Sequence, residues 1–170
     1  MIPRPDRTQS AEYYFTYIDK VPGTDPLAVL ESQVAESLAL YESIDEKKSL
    51  HRYADGKWTL REVLSHINDT ERLFVFRAFW FARGLEAALP SFDQDVAIKG
   101  AGADARTWRS HIDEFRTVRA ASLSLFKSLP PEAWSRKGTA SGNPFSVGAL
   151  AYIAAGHVAH HNQLIRERYL

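Results

Sequence analysis

Cysteine is absent from this 170-residue chain. Its absence excludes disulfides, zinc–thiolate sites and a cysteine nucleophile. An excess of charge of one sign is also missing: 21 Lys and Arg balance 21 Asp and Glu, and the signs are interspersed. That balance argues against a nucleic-acid binder with a broad basic face, and against electrostatic docking on an anionic membrane. Long hydrophobic runs are lacking too. The longest, Leu73 to Ala82, is interrupted by Arg77 and is too short to span a bilayer. The opening Met-Ile-Pro-Arg-Pro-Asp does not have the basic-then-apolar layout of a signal peptide. The expectation is one cytoplasmic domain over residues 1–170 that acts on a small molecule, with no nucleic-acid or membrane partner.

What is present is helical periodicity in four segments. The first opens at Asp25-Pro26, an N-cap followed by a proline suited to the first helical position. Leu27, Leu30, Val34, Leu38 and Tyr41 then recur at helical spacing to about Asp45. The second opens with Thr59-Leu60-Arg61-Glu62, a capping box, and runs to a stop at Gly84. A third extends from about Asp104 to Leu129, before Pro130-Pro131. The fourth begins at Ser146 and reaches about Tyr169. No segment alternates long enough to read as a strand. Residues 1–24 read as an extension that packs on the bundle, with a short helix near Glu12-Tyr13-Tyr14-Phe15. The fold class is therefore all-α, a four-helix bundle.

About twenty residues, Gly84 to Ala103, join the second and third helices. A loop of that length can cross the whole bundle, at about 3.3 Å per residue. Read as a crossover, it makes helices two and three parallel and the order up-down-down-up.

The fourth helix carries Val147, Leu150, Ala154, His157, His161 and Leu164 on one seam. Histidines four apart share a helix face, so both rings can reach one ion. Ala151, Ala154, Ala155 and Gly156 are small and leave room beside them. His66, on the second helix, lies roughly 10 Å along the axis from Thr59, and His161 lies a similar distance from the end of helix four. With those two helices antiparallel, His66, His157 and His161 meet at one level. Buried histidines satisfied by hydrogen bonds are the plain reading; three ligands to a divalent metal are the sharper one. Three imidazoles leave a fourth corner of a tetrahedron open for water, substrate or a thiolate, as in catalytic zinc sites. Nickel, cobalt, iron and manganese are also compatible.

Other candidates surround this set. Asp69, one turn from His66, is a candidate base or ligand-orienting carboxylate. Glu71 lies over 100° round the helix and is a candidate for the pocket, for solvation or for an arginine partner. Asp93 and Asp95, in the crossover, line a pocket if the loop folds over the bundle end, or else form turns. His160 is a candidate pocket residue, Trp58 and Tyr152 are pocket walls or core, and His51 and His111 read as surface. Phe74, Phe76, Phe79, Trp80 and Phe81 cover more than one helix face, which fits deep burial or a homodimer interface.

Two stretches carry a family resemblance. Lys57-Trp58-Thr59-Leu60-Arg61-Glu62-Val63-Leu64-Ser65-His66-Ile67-Asn68-Asp69-Thr70-Glu71 resembles the second-helix motif of the DinB/YfiT-like superfamily. Gly156-His157-Val158-Ala159-His160-His161 resembles its fourth-helix motif. Weaker similarities lie at Arg4-Pro5, Tyr13-Tyr14, Phe92-Asp93-Gln94-Asp95 and Gly138-Thr139-Ala140-Ser141-Gly142. The resemblance implies an up-down-down-up bundle, often a homodimer, with a divalent metal (zinc or nickel foremost) on His66, His157 and His161. It implies a metal-dependent enzyme that activates a low-molecular-weight thiol, as in bacillithiol S-transferases and a mycothiol-dependent maleylpyruvate isomerase. A metal-dependent hydrolase, a non-catalytic binding or stress-response module, and a metal-free helical dimer remain as alternatives.

Overall fold

A computed structural model describes residues 2–170. A 3-10 turn, Glu12–Tyr14, leads into α1 (Phe15–Ile18). The bundle follows as α2 (Pro26–Glu42) and α3 (Leu60–Ala82), then α4 (Gln94–Ala101), α5 (Trp108–Lys127), a hairpin of β1 (Lys137–Ala140) and β2 (Asn143–Ser146), and α6 (Val147–Leu164). A π-helical turn, Ile165–Tyr169, carries α6 to the C-terminus. Among the described residues no helix is long and apolar enough to cross a membrane.

The caps that mark the helix starts are formed. Asp25 accepts from the backbone N–H groups of Leu27 and Ala28, and Pro26 follows it. Thr59 and Glu62 make the reciprocal capping box: Glu62 N donates to Thr59 Oγ1 at 3.0 Å and Thr59 N donates to Glu62 Oε2 at 2.8 Å. Ser146 Oγ accepts from Ala149 N at 3.0 Å. The third bundle helix starts at Thr107 and Trp108 rather than at Asp104. Asp104 Oδ1 instead accepts from Thr59 Oγ1 at 2.6 Å, so its carboxylate is spent on another helix's start.

Helix directions follow from the cross-helix pairs. Along α3 and α5, Asn68 bonds His111, Arg72 pairs with Glu114 and Glu71 with Arg119, so both helices advance together. Gln33 meets Ala155 and Tyr41 meets Asn162, so α2 and α6 are parallel. Tyr169 reaches back to Trp58 while Thr70 faces His157, so α3 and α6 are antiparallel. The order is up-down-down-up, and the crossover joins the two parallel neighbours α3 and α5.

That crossover is not structureless. Asp93 caps α4 by accepting from Asp95 N and Val96 N, and Gly102 at φ 57° ends it in the left-handed region. The hairpin is a second departure from the purely helical expectation. Ser141 (φ 53°) and Gly142 (φ 73°) both take positive φ, as a two-residue type I′ turn requires. Four-residue strands are too short to show an alternation in sequence.

Two apolar clusters fill the bundle. Phe74, Phe81, Phe126, Leu150 and Ile153 pack at the hairpin end, and Tyr41, Leu60, Leu64, Trp108 and Ile165 at the other. A buried polar layer lies at their junction, with His66, Thr70 and Glu71 on α3 and His157 and His161 on α6. Gly156 admits α1 to α6: a Cβ there would overlap the Tyr17 backbone carbonyl. The space beside the histidine pair at Gly156 is thus filled by the chain's own N-terminal segment.

The aromatic stretch of α3 divides by face. Phe74 and Phe81 are buried, whereas Phe76 and Phe79 stay 48% and 37% exposed, beside a groove between α3 and α5 that Val75 and Leu125 help to line. Tyr152 is core, with its hydroxyl on the Ile2 carbonyl. His51 is exposed, but His111 is fully buried rather than on the surface, its Nε2 3.0 Å from the Ala103 carbonyl oxygen. Helix α5 turns that position inward, under the end of the crossover.

Candidate metal centre

His66, His157 and His161 converge. Each offers one ring nitrogen, and all three nitrogens lie within 4.8 Å of one another. His157 Nε2 sits 3.1 Å from His66 Nε2 and 3.1 Å from His161 Nε2. The antiparallel register of α3 and α6 sets this up, and the four-residue spacing on α6 turns both of its rings the same way.

The donor set fits a cation. A neutral imidazole has one N–H and one lone pair, so a single Nε2 can give or take one hydrogen bond, not two. His157 Nε2 has two nitrogen neighbours at the same distance and cannot satisfy both. His161 Nδ1 is buried with no partner among the described residues. Thr70 supplies the tautomer of His157. Its hydroxyl donates to the His66 carbonyl at 2.6 Å, leaving its lone pairs toward His157 Nδ1 at 3.4 Å. A proton on Nδ1 leaves the Nε2 lone pair free for an ion.

Burial keeps the set neutral. Desolvation, followed by the neighbouring charge of His160, lowers His66 to about 4. His157 and His161 are lowered well below the ordinary value, first by burial and then by the surrounding imidazoles. Neutral imidazole is the form that ligates a metal.

A cavity of about 270 Å³ opens onto His66 and His157. Tyr13, Tyr14 and Tyr17 from the N-terminal segment, Phe74 from α3 and Phe92 from the crossover form its aromatic walls. Tyr17 hydroxyl lies 2.9 Å from Tyr13 hydroxyl, and burial together with that bond raises its pKa, so it stays protonated. A second recess, lined by Tyr53, Trp58 and Tyr169, reaches His161. Trp58 is a wall, its ring 5.0 Å from that of His66.

The remaining candidates fall elsewhere. Asp69 pairs with Arg72 at 3.3 Å and lines neither recess; burial raises its pKa. Glu71 is buried in a two-pronged pair with Arg119, at 2.8 and 2.7 Å, and is also outside both. Asp93 is spent on capping α4, and Asp95 is exposed in that helix's first turn. The crossover does reach the cavity, but through Phe92 and Gln94. His160 is half-buried with its ring 5.4 Å from that of Tyr17, outside the trio of nitrogens. Thr70 and Arg77, both lining the cavity, were missed as site residues. The available signal was phase: at four and eleven residues after His66 they share its helix face.

Comparison with known proteins agrees with this fold. Residues 30–165 match the model of the DinB superfamily. The structure resembles YfiT of Bacillus subtilis, described as a probable metal-dependent hydrolase with an unusual four-helix bundle topology. The TM-score is 0.65 at 18% identity, covering 95% of this chain and 91% of YfiT. It also resembles the mycothiol-dependent maleylpyruvate isomerase, with a TM-score of 0.70 at 14% identity. That match covers 86% of this chain but only 61% of the isomerase. No curated protein is similar in sequence. With the matched family spanning most of its length, the chain belongs to the DinB superfamily.

Proposed function

We propose that His66, His157 and His161 hold one divalent metal ion, zinc or nickel, and that the protein is an S-transferase joining a small thiol to an electrophile. The carrying observation is the three facing ring nitrogens, buried and neutral, beside a cavity of about 270 Å³. A bound divalent ion would supply Lewis acidity, lowering the pKa of a coordinated thiol or water. The chain's own residues do the rest. Thr70 holds the His157 ring in its Nδ1–H form. The aromatic walls exclude water and favour a flat, apolar body, and the hydrogen-bonded Tyr13 and Tyr17 hydroxyls keep one proton between them for a ligand. A chain without cysteine takes its thiol from a diffusible molecule, which suits the reducing cytoplasm.

Likeness to YfiT supports a second reading, water-driven hydrolysis at the same ion. One assay separates them. Zinc- or nickel-loaded protein is offered a small thiol with a panel of electrophiles, and separately a panel of esters and amides without thiol. The proposal expects thiol conjugation that disappears in His157→Ala. Ester or amide cleavage without thiol selects the hydrolase. Full metal loading with neither activity selects a binding module and overturns the enzyme reading.

We further propose that two chains pair through the α3–α5 face bearing Phe76 and Phe79, whose exposure is unusual for large aromatics beside an apolar groove. Sedimentation should show a dimer that Phe76→Glu dissociates; an unchanged mass rejects this face.

A further inference from the structure

At the far end of the cavity from the histidines sits Arg77, 1% exposed. It is the only Asp, Glu, Lys or Arg side chain among the cavity's lining residues. Its Nη2 donates to the Pro90 carbonyl at 3.1 Å and to Ser141 Oγ at 3.0 Å. Those neutral acceptors tie the crossover and the hairpin turn to α3. They use the two protons of one nitrogen. Nε is buried with no partner, and Nη1 makes no hydrogen bond among the described residues. No carboxylate pairs with it there either, whereas Arg119, equally buried, is clamped on Glu71.

A guanidinium has five N–H donors and is always charged. Burying it against neutral groups alone is costly, and native interiors seldom leave such a charge unpaired. Arg77 lies eleven residues after His66, roughly 16 Å along the axis and within about 20° of the same face. Side chains on a helix lean toward its N-terminus, so Arg77 leans toward the histidines. A molecule in this cavity therefore meets the neutral imidazoles of His66 and His157 at one end and the two unspent Nη1 donors of Arg77 at the other.

We propose that Arg77 is the carboxylate-binding residue of this cavity, and that the substrate class is small carboxylic acids with a flat, unsaturated or aromatic body. The inference rests on reading the cavity as the substrate site, and it deepens that reading. A carboxylate rather than a phosphate is indicated, because one guanidinium with no lysine or second arginine beside it matches a single negative charge. The aromatic walls fit the flat body, and the volume fits a small molecule rather than a polymer.

The test begins with metal-free wild-type protein, titrated with benzoate, its neutral isostere benzamide, and inorganic phosphate. Binding is read by calorimetry and by the Arg77 Nε–H resonance in a nitrogen–proton correlation spectrum. Benzoate should bind saturably, shift that resonance, and bind at least about tenfold tighter than benzamide, as expected of a charge-assisted pair. Arg77→Met should abolish the preference, with circular dichroism confirming the fold, and Arg77→Lys should restore part of it. An unmoved Nε–H resonance, equal binding of benzoate and benzamide, or tighter binding of phosphate overturns the proposal using wild-type protein alone.

The carboxylate can belong to the electrophile or to the thiol. On zinc-loaded protein, 3-mercaptopropionate is compared with 2-mercaptoethanol. If Arg77→Met removes the advantage of 3-mercaptopropionate, the carboxylate is the thiol's. If it removes benzoate binding alone, the carboxylate is the electrophile's. Failure to load metal would reject the metal reading yet leave the metal-free benzoate titration to decide Arg77.

Discussion

Arg119 and Arg77 are buried to the same degree, 0% and 1% exposed, on helices that run parallel. Around Arg119 four of the five donors are used and the charge is paired. Nε and Nη2 grip both oxygens of Glu71, and Nη1 donates to the Leu30 carbonyl and to Gln33 Oε1, whose amide in turn donates to the Ala155 carbonyl. Around Arg77 and the three histidines the network closes only in part, with Phe145 the one ring beneath the guanidinium. Two of the five guanidinium donors are used, one imidazole nitrogen has no partner, and another has two competing ones. The first region holds α2, α3, α5 and α6 in register. The second borders a cavity. Unsatisfied groups in a native interior call for a partner, and two of them, Arg77 Nε and His161 Nδ1, belong to this region.

The largest expected effect breaks the closed region. Glu71→Ala leaves Arg119 buried without its anion and should cost about 3–5 kcal/mol in urea denaturation. Arg77→Met removes a charge without a carboxylate partner but also two hydrogen bonds, so it should cost less, about 1–2 kcal/mol. Equal costs would erase the distinction between the two sites.

Next is the pH response of the histidine region without metal. An unfolded imidazole takes its proton near 6.5, whereas folded His66 takes one only near about 4. Between these values the unfolded chain binds more protons, so stability is full above about 6.5 and falls as pH drops toward 4. His66 alone contributes on the order of 3 kcal/mol to that loss, and His157 and His161 act with the same sign. Denaturation at pH 7.5, 6 and 5 measures it; a flat profile would mean that the rings are not held neutral.

Gly156→Ala tests how α1 closes the cavity wall. The added methyl meets the Tyr17 backbone, so a cost of about 1–3 kcal/mol and a loosened Tyr17 are expected. Tyrosine fluorescence and denaturation report both. One substitution with little effect on the fold sharpens the comparison. Thr70→Val removes the group facing His157 Nδ1 and should weaken metal affinity by about 10–100-fold, with little change in fold.

Much of this arrangement is legible in sequence because it rests on short-range rules. Asp25-Pro26, the Thr59–Glu62 box and Ser146 each announce a helix start, and each forms. The histidine trio is legible because spacing on α6 and height on α3 can be counted along helices once their directions are inferred. Helix α4 and the hairpin strands escape a sequence reading because they are eight and four residues long; Asp93, Gly102 and Ser141-Gly142 are their signals. Asp69 misled because proximity along one helix says nothing of the Arg72 that takes its carboxylate. The partner of Glu71 lies 48 residues away on α5, so only the helix register reveals it. Arg77 registers in sequence as an interruption of an apolar run; only the fold shows that, among the described residues, no carboxylate pairs with it.

Metal content per chain is the most direct measurement of the central claim. Elemental analysis of wild-type protein and His157→Ala, each purified and exposed to zinc or nickel in the same way, should give about one ion per chain for the first and strong loss for the second. Equal content in the two, or none in a folded wild-type protein, would contradict it.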